Sequence, residues 1–242
     1  MENCTLGPLA NVSRLTLGGG GIGQVWGSTD RDTAIATVRA AWEAGINLFD
    51  MAPLYGNGEA ETVMGMAFGG HAPEGLKVTT KCMLGDVPAG EIEARLRSSL
   101  DESCARLQCD FVDAFILHGY VVPDDFERLE RADRLTMVGV RQGRYLEHVI
   151  PVFEDLRRSG RIGTWGVTAA SSQAQNFAVL DHEIRPGVVQ CVSNLLDTHL
   201  GMAVGGEVPA PRAVIEAAAQ RGVGVMGVRA VAAGSLTAQL DR

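Results

Sequence analysis

The stretch "NLFDMAPLYGNGEAE", residues 47–61, decides how this chain is read. An apolar run ends abruptly at Asp50, and five residues later Tyr55 stands among glycines and acids. Burial favours neither a carboxylate nor a phenol at the end of an apolar strand. Their position there needs a chemical reason.

Outward from this stretch, short β-rich runs alternate with helical patterns. "RLTL" (14–17), "INLF" (46–49), "LKVTT" (76–80), "FVDAFIL" (111–117), "IGTWGVT" (162–168), "GVVQCVS" (187–193) and "VGVMGV" (223–228) read as strands. Helical patterns follow at 30–45, 58–68, 89–107, 146–160, 171–183 and 210–222. Ser28, Thr29 and Asp30 are the N-cap candidates of the first, and Gly45 lies past its end. Strands that are apolar on both faces predict a parallel sheet covered by helices. That leaves a closed barrel or an open doubly wound sheet.

"LTLGGGGIGQVWGSTD" (15–30) offers the doubly wound reading a formal G-x-G-x-x-G at Gly18, Gly20 and Gly23. The helix that such a motif should open begins five or more residues beyond Gly23, too late for its N-terminus to meet a pyrophosphate. The barrel reading is favoured by where polar residues fall. Asp50, Lys81 and His118 end three successive strands, and in a barrel those ends share one rim. The expected architecture is a TIM-type (β/α)8 barrel lacking the eighth strand and helix. It forms one domain over 1–242, with a long rim loop at about 119–145 and a charged helix face at 124–134.

Bulk properties narrow the function classes. The chain has 242 residues, 46% hydrophobic, with a formal net charge of −8. An acidic balance argues against a nucleic-acid footprint. No run of about 18 apolar residues predicts a membrane span. Five cysteines without a C-x-x-C pair read as reduced thiols, so the expected location is the cytoplasm. The histidines at 71, 118, 148, 182 and 199 show no ligand spacing, and no metal site is expected.

Asp50, Tyr55, Lys81 and His118 make sense together. A lysine ammonium lowers the pKa of a nearby phenol, and a carboxylate keeps that ammonium charged despite burial. Tyr55 is then expected to give or take a proton, while His118 holds a substrate carbonyl oxygen. Taken singly, each residue has a plainer reading: a strand-end acid, a packed rim aromatic, a snorkelling or Schiff-base lysine, a structural histidine. Trp26 is expected at the substrate pocket with Tyr55 and His118, and Trp165 in the core. Cys82, beside Lys81, is a candidate low-pKa thiol against which burial works.

"GINLFDMAPLYGNGEAE", "VTTK", "FILH", "GRIGTWGVT" and "VVQCVSN" resemble, in order, the successive blocks of the aldo-keto reductases. That resemblance implies an NAD(P)(H)-dependent barrel interconverting a carbonyl and an alcohol, with Asp50, Tyr55, Lys81 and His118 as its catalytic tetrad. NADP(H) or NAD(H) is the implied cofactor. Asp50 then lies near its ribose, Thr168 and Gln190 at its carboxamide, Arg229 at its pyrophosphate, and Gly20 and Gly21 beside it. The implied partner is a small carbonyl or alcohol, and the oligomeric state is not legible.

The sequence departs from the family's pattern at several places. Ala169 stands where an asparagine is usual, Ser193 replaces a tyrosine, and Val228 replaces an aromatic. No eighth strand and helix precede Arg242. These departures keep open a second reading, a non-catalytic cofactor-binding or partner subunit.

Overall fold

The computed structural model describes residues 1–126, 138–198, 210–232 and 236. The chain starts with an antiparallel hairpin, β1 (Asn3–Leu6) and β2 (Leu9–Ser13), turning at Gly7. β3 (Thr16–Gly18), α1 (Arg31–Glu43), β4 (Leu48–Asp50), α2 (Glu59–Ala67), β5 (Lys77–Cys82), α3 (Ala89–Leu107) and β6 (Val112–Leu117) follow. The segment after β6 carries a small parallel pair, β7 (Tyr120–Val122) and β8 (Gly139–Arg141). Then come α4 (Ile150–Arg158), β9 (Ile162–Thr168), α5 (Gln173–Asp181), β10 (Val188–Val192), α6 (Pro211–Gln220) and β11 (Gly224–Val228).

Seven strands form one parallel sheet in the order β3-β4-β5-β6-β9-β10-β11. Every strand lies beside its chain neighbour, as in a (β/α) barrel. A doubly wound sheet would reverse direction part-way, so the dinucleotide-fold alternative falls. Among the described residues no eighth strand joins β11 to β3.

The alternation of side chains sorts the strands into two layers. Phe49, Phe115, Leu117, Val167, Val189 and Cys191 belong to the layer shared with the helices, where Ile92, Leu96 and Leu100 of α3 also sit. Leu48, Ala114, Ile116, Val188 and Met226 belong to a separate cluster. The hairpin plugs that inner cluster from below with Leu6, Leu9 and Val12. A side chain on Gly7 would strike the backbones of Gly187 and Gly224, so a glycine lets the hairpin seat.

Local signals place most ends. The Asp30 carboxylate accepts from the Thr33 N–H at 2.8 Å and caps α1. The helix expected over 146–160 is split: Tyr145–Val149 is a π-helical turn and α4 begins at Ile150. Pro151 accounts for this, because its ring crowds the carbonyl four residues back, and a wider turn relieves the clash. The expected first strand, 14–17, is shorter and later, at Thr16–Gly18. The hairpin before it was not expected. The loop at 119–145 holds β7, β8 and a helical turn at Gln142–Arg144. Most of the charged face at 124–134 lies outside the described residues.

One polar network sits in the outer layer. Glu61 of α2 and Thr80 of β5 are fully buried. The Thr80 hydroxyl donates to Glu61 at 2.5 Å, and Arg106 of α3 pairs with the other Glu61 oxygen at 2.6 Å. This ion pair ties both helices to the strand beneath them.

Candidate active site

Strand parity carries five residues to the inner face. Asp50 follows Leu48 by two residues, Lys81 follows Thr79, and His118 follows Ile116; Thr168 and Gln190 face each other in register. Tyr55 arrives differently. After β4 the chain turns through Gly56, Asn57 and Gly58, all with positive φ of 69°, 53° and 86°. Two glycines in the run after β3 make room for that turn. A Cβ on Gly23 would lie 2.6 Å from the Tyr55 carbonyl, and one on Gly19 would lie 3.0 Å from the ring. Gly23, the last glycine of the apparent nucleotide motif, therefore packs against Tyr55.

Lys81 is fully buried and its ammonium has three acceptors. These are Asp50 Oδ1 at 2.8 Å, the Met51 carbonyl at 2.8 Å and the Tyr55 hydroxyl at 3.2 Å. Three N–H groups and three acceptors leave Lys81 one orientation. Asp50 Oδ1 also accepts from Thr79 Oγ1 at 2.5 Å and Gln190 Nε2 at 3.0 Å. The Tyr55 ring meets the His118 ring edge-on, with centroids 6.0 Å apart. Acid, ammonium, phenol and imidazole form one contact chain.

The charge states follow from burial and neighbours. Burial works against the Lys81 ammonium, but Asp50 and Tyr55 together outweigh it and hold its pKa above the ordinary lysine value. A lysine so protonated is no Schiff-base nucleophile. Burial pushes the Tyr55 phenol up, Lys81 pulls it down and Asp50 pushes it up again, leaving a net rise. The expectation of a lowered Tyr55 pKa is thus corrected: the ammonium acts as foreseen, and desolvation exceeds it. Burial, then Lys81, lowers His118 to about 4, so its imidazole is neutral at pH 7. Cys82 is raised by burial and is no low-pKa thiol.

The remaining expected site residues are spread along the same rim. Gln190 and Thr168 are buried, with Thr168 Oγ1 donating to the Leu117 carbonyl at 3.3 Å. Arg229 follows β11 with a φ of 58° and is half-buried. Gly20 packs against the Trp26 indole, while Gly21 is exposed with open space where a Cβ would go. Trp26 is 80% exposed, on the surface of the loop after β3. Trp165 is in the core, its Nε1 donating to Glu154 at 2.6 Å. Thr79 and the Met51 carbonyl were missed. Thr79 shares the parity of Lys81 two residues on, and that signal would have found it.

A model of the aldo/keto reductase family matches residues 14–242. The chain belongs to the aldo/keto reductase family. It is 30% identical to the L-galactose dehydrogenase of Arabidopsis thaliana, over 94% of this chain and 64% of that one. An aldo-keto reductase of Bacillus halodurans superposes with a TM-score of 0.71 at 22% identity, covering 98% of this chain and 69% of the other. One from Klebsiella pneumoniae, solved in complex with NADP and acetate, gives a TM-score of 0.68 at 22% identity, covering 98% and 71%. The chain therefore spans about two thirds of the length of these aldo-keto reductases, and at this identity the superpositions speak for the fold. Like theirs, it is an α/β fold of TIM type.

Proposed function

We propose that this aldo-keto reductase chain is part of an NAD(P)(H)-dependent oxidoreductase that interconverts a carbonyl (aldehyde, ketone or sugar) and the matching alcohol. One observation carries the reading: the Tyr55 hydroxyl, 3.2 Å from a lysine that Asp50 holds at 2.8 Å, on a rim shared with a neutral imidazole. The names of two relatives, a sugar dehydrogenase and a reductase crystallised with NADP, support the class.

The donor set fits a nicotinamide cofactor. The Gln190 amide gives one N–H to Asp50, and a primary amide has a second N–H and a carbonyl oxygen for a carboxamide. Thr168 offers a hydroxyl in register beside it. Arg229, with Gly20 and Gly21 across the rim, suits phosphate oxygens. The reduced nicotinamide, when bound, supplies the hydride.

The chain's own residues do the rest. Tyr55 stands as a protonated phenol and gives its proton to the carbonyl oxygen. Lys81 sits against the phenolate so formed and lowers its cost. Asp50 keeps Lys81 charged and aimed. His118, neutral, can donate a ring N–H to the carbonyl oxygen without competing for the proton. In the reverse direction the same groups remove the proton from an alcohol.

The test is oxidation of NADPH and of NADH by the full-length protein against aldehydes, ketones and aldoses, L-galactose among them. Turnover of any carbonyl in the panel is expected. A protein that binds the cofactor tightly yet turns over nothing in either direction would overturn the enzyme reading in favour of a cofactor-binding subunit.

A further inference from the structure

A second cluster of reactive side chains lies at the foot of α3, at the opposite end of that helix from the rim. α3 stops at Gln108, whose φ of 57° and ψ of 46° are left-handed. The Cys109 N–H bonds back to the Cys104 carbonyl at 3.0 Å. This closure of a helix end brings the side chains of its first and last residues together, where two apolar groups usually meet. Here the pair is two thiols. Each thiol is close enough to perturb the other's ionisation, and Arg161 perturbs that of Cys104. Asp101 holds Arg161 in place at 2.7 Å. Asp101, Cys104, Cys109, Asp110 and Arg161 line one open cleft of ≈ 390 Å³. Cys82 and Cys191 are buried in the sheet.

We propose that Cys104 and Cys109 are a peroxide-reactive dithiol that closes reversibly to an intrachain disulfide at the end of α3. The Cys104 thiolate attacks one oxygen of hydrogen peroxide and the O–O bond breaks. This gives a sulfenic acid on Cys104 and a hydroxide that takes a proton to become water. The Cys109 sulfur then attacks the sulfenic sulfur. Its proton leaves with the sulfenic hydroxyl as a second water, and the S–S bond forms. Two thiols lose two electrons, one peroxide becomes two waters, and a thiol reductant reverses the change.

The assignment of attacking and resolving thiol follows the surroundings. The neighbouring Cys109 and Arg161 pull the Cys104 thiol down against burial, while Cys104 beside it pushes Cys109 up. Cys104 then carries a larger thiolate fraction at pH 7 than an ordinary thiol. The lower basicity of that thiolate gives back part of this advantage. The adjacent resolving thiol, more than acidity, is what separates Cys104 from the exposed Cys4.

Peptide mapping tests this. The full-length protein is treated with hydrogen peroxide, alkylated, denatured and digested with trypsin without reductant. Cleavage after Arg97, Arg106 and Arg128 should yield peptide 98–106 joined to 107–128 in most molecules. The linkage should be absent before peroxide and released by a thiol reductant. In the Cys109→Ser variant dimedone should trap a sulfenic acid on Cys104, with the far-UV circular dichroism of the parent. Recovery of both peptides singly alkylated, at the yield of untreated protein, would overturn the proposal, as would a cross-link running mainly through Cys4.

Discussion

Two buried ion pairs lie on opposite faces of β5, one residue apart in the chain. Lys81 points inward to Asp50, while Thr80 points outward to the Glu61 that Arg106 holds. Both pairs place charge where water is scarce, and both recruit a threonine hydroxyl. The outer pair is closed upon itself: each Glu61 oxygen has its partner, and the network joins two helices to a strand. The inner pair is not. Its ammonium hands a third contact to the Tyr55 phenol, which touches an imidazole whose ring nitrogens take no hydrogen bond among the described residues. Buried charge alone therefore does not mark a site. What distinguishes the proposed site is the link from the charge to groups still able to exchange a proton.

The comparison breaks first at Tyr55. Tyr55→Phe should lower turnover by about 10²–10⁴-fold, since the proton donor is lost, with cofactor affinity within about threefold. Undiminished turnover would make the inner pair as structural as the outer one. Arg106→Met should do the reverse. It leaves the buried Glu61 carboxylate without its cation and should cost about 3–5 kcal/mol in urea unfolding. Turnover per folded molecule should stay unchanged; a large loss there would couple the two faces of β5.

Much of this contrast was legible in the sequence. Period-two alternation from Leu48, Thr79 and Ile116 places Asp50, Lys81 and His118 on one face, and seven strand-helix units give the layer order. The outer pair was not legible, because alternation says which way Thr80 points and nothing about which helices will lie over it. The sign of the Tyr55 shift was missed for a related reason. Sequence names the charges near a phenol but not the water removed from around it. The hairpin was hidden because β1 and β2 bury mainly Leu6, Leu9, Val12 and Ser13, too few for a clear strand pattern.

Two smaller effects sharpen the distinction. The folded-state pKa of His118, about 4, lies below its ordinary value of 6.5. The unfolded chain thus takes up the proton first as pH falls. Stability should be full above pH 6.5 and should decline through pH 4, by roughly 3 kcal/mol in total. His118→Asn should remove that part of the decline in urea titrations at pH 7 and pH 4; an unaltered pH dependence would mean that the imidazole is hydrated. Last, Gly23→Ala should push the Tyr55 loop away from Lys81. A loss of about tenfold in turnover, roughly 1.4 kcal/mol in barrier, is expected with little change in unfolding midpoint. Equal turnover would show that the loop yields without moving the hydroxyl.

The order of strands in the sheet also bears on how the protein is made. In the seven-stranded sheet each strand after β3 is laid beside one already synthesised, so pairing never waits for a distant partner, and the sheet can grow as the chain leaves the ribosome. The hairpin is the exception. Its Gly7 turn seats on Gly187 and Gly224, so a segment made before the sheet docks only after most of the sheet exists. Until residue 224 appears, Leu6, Leu9 and Val12 lack their final seat, and the nascent chain leaves them exposed while the sheet is built.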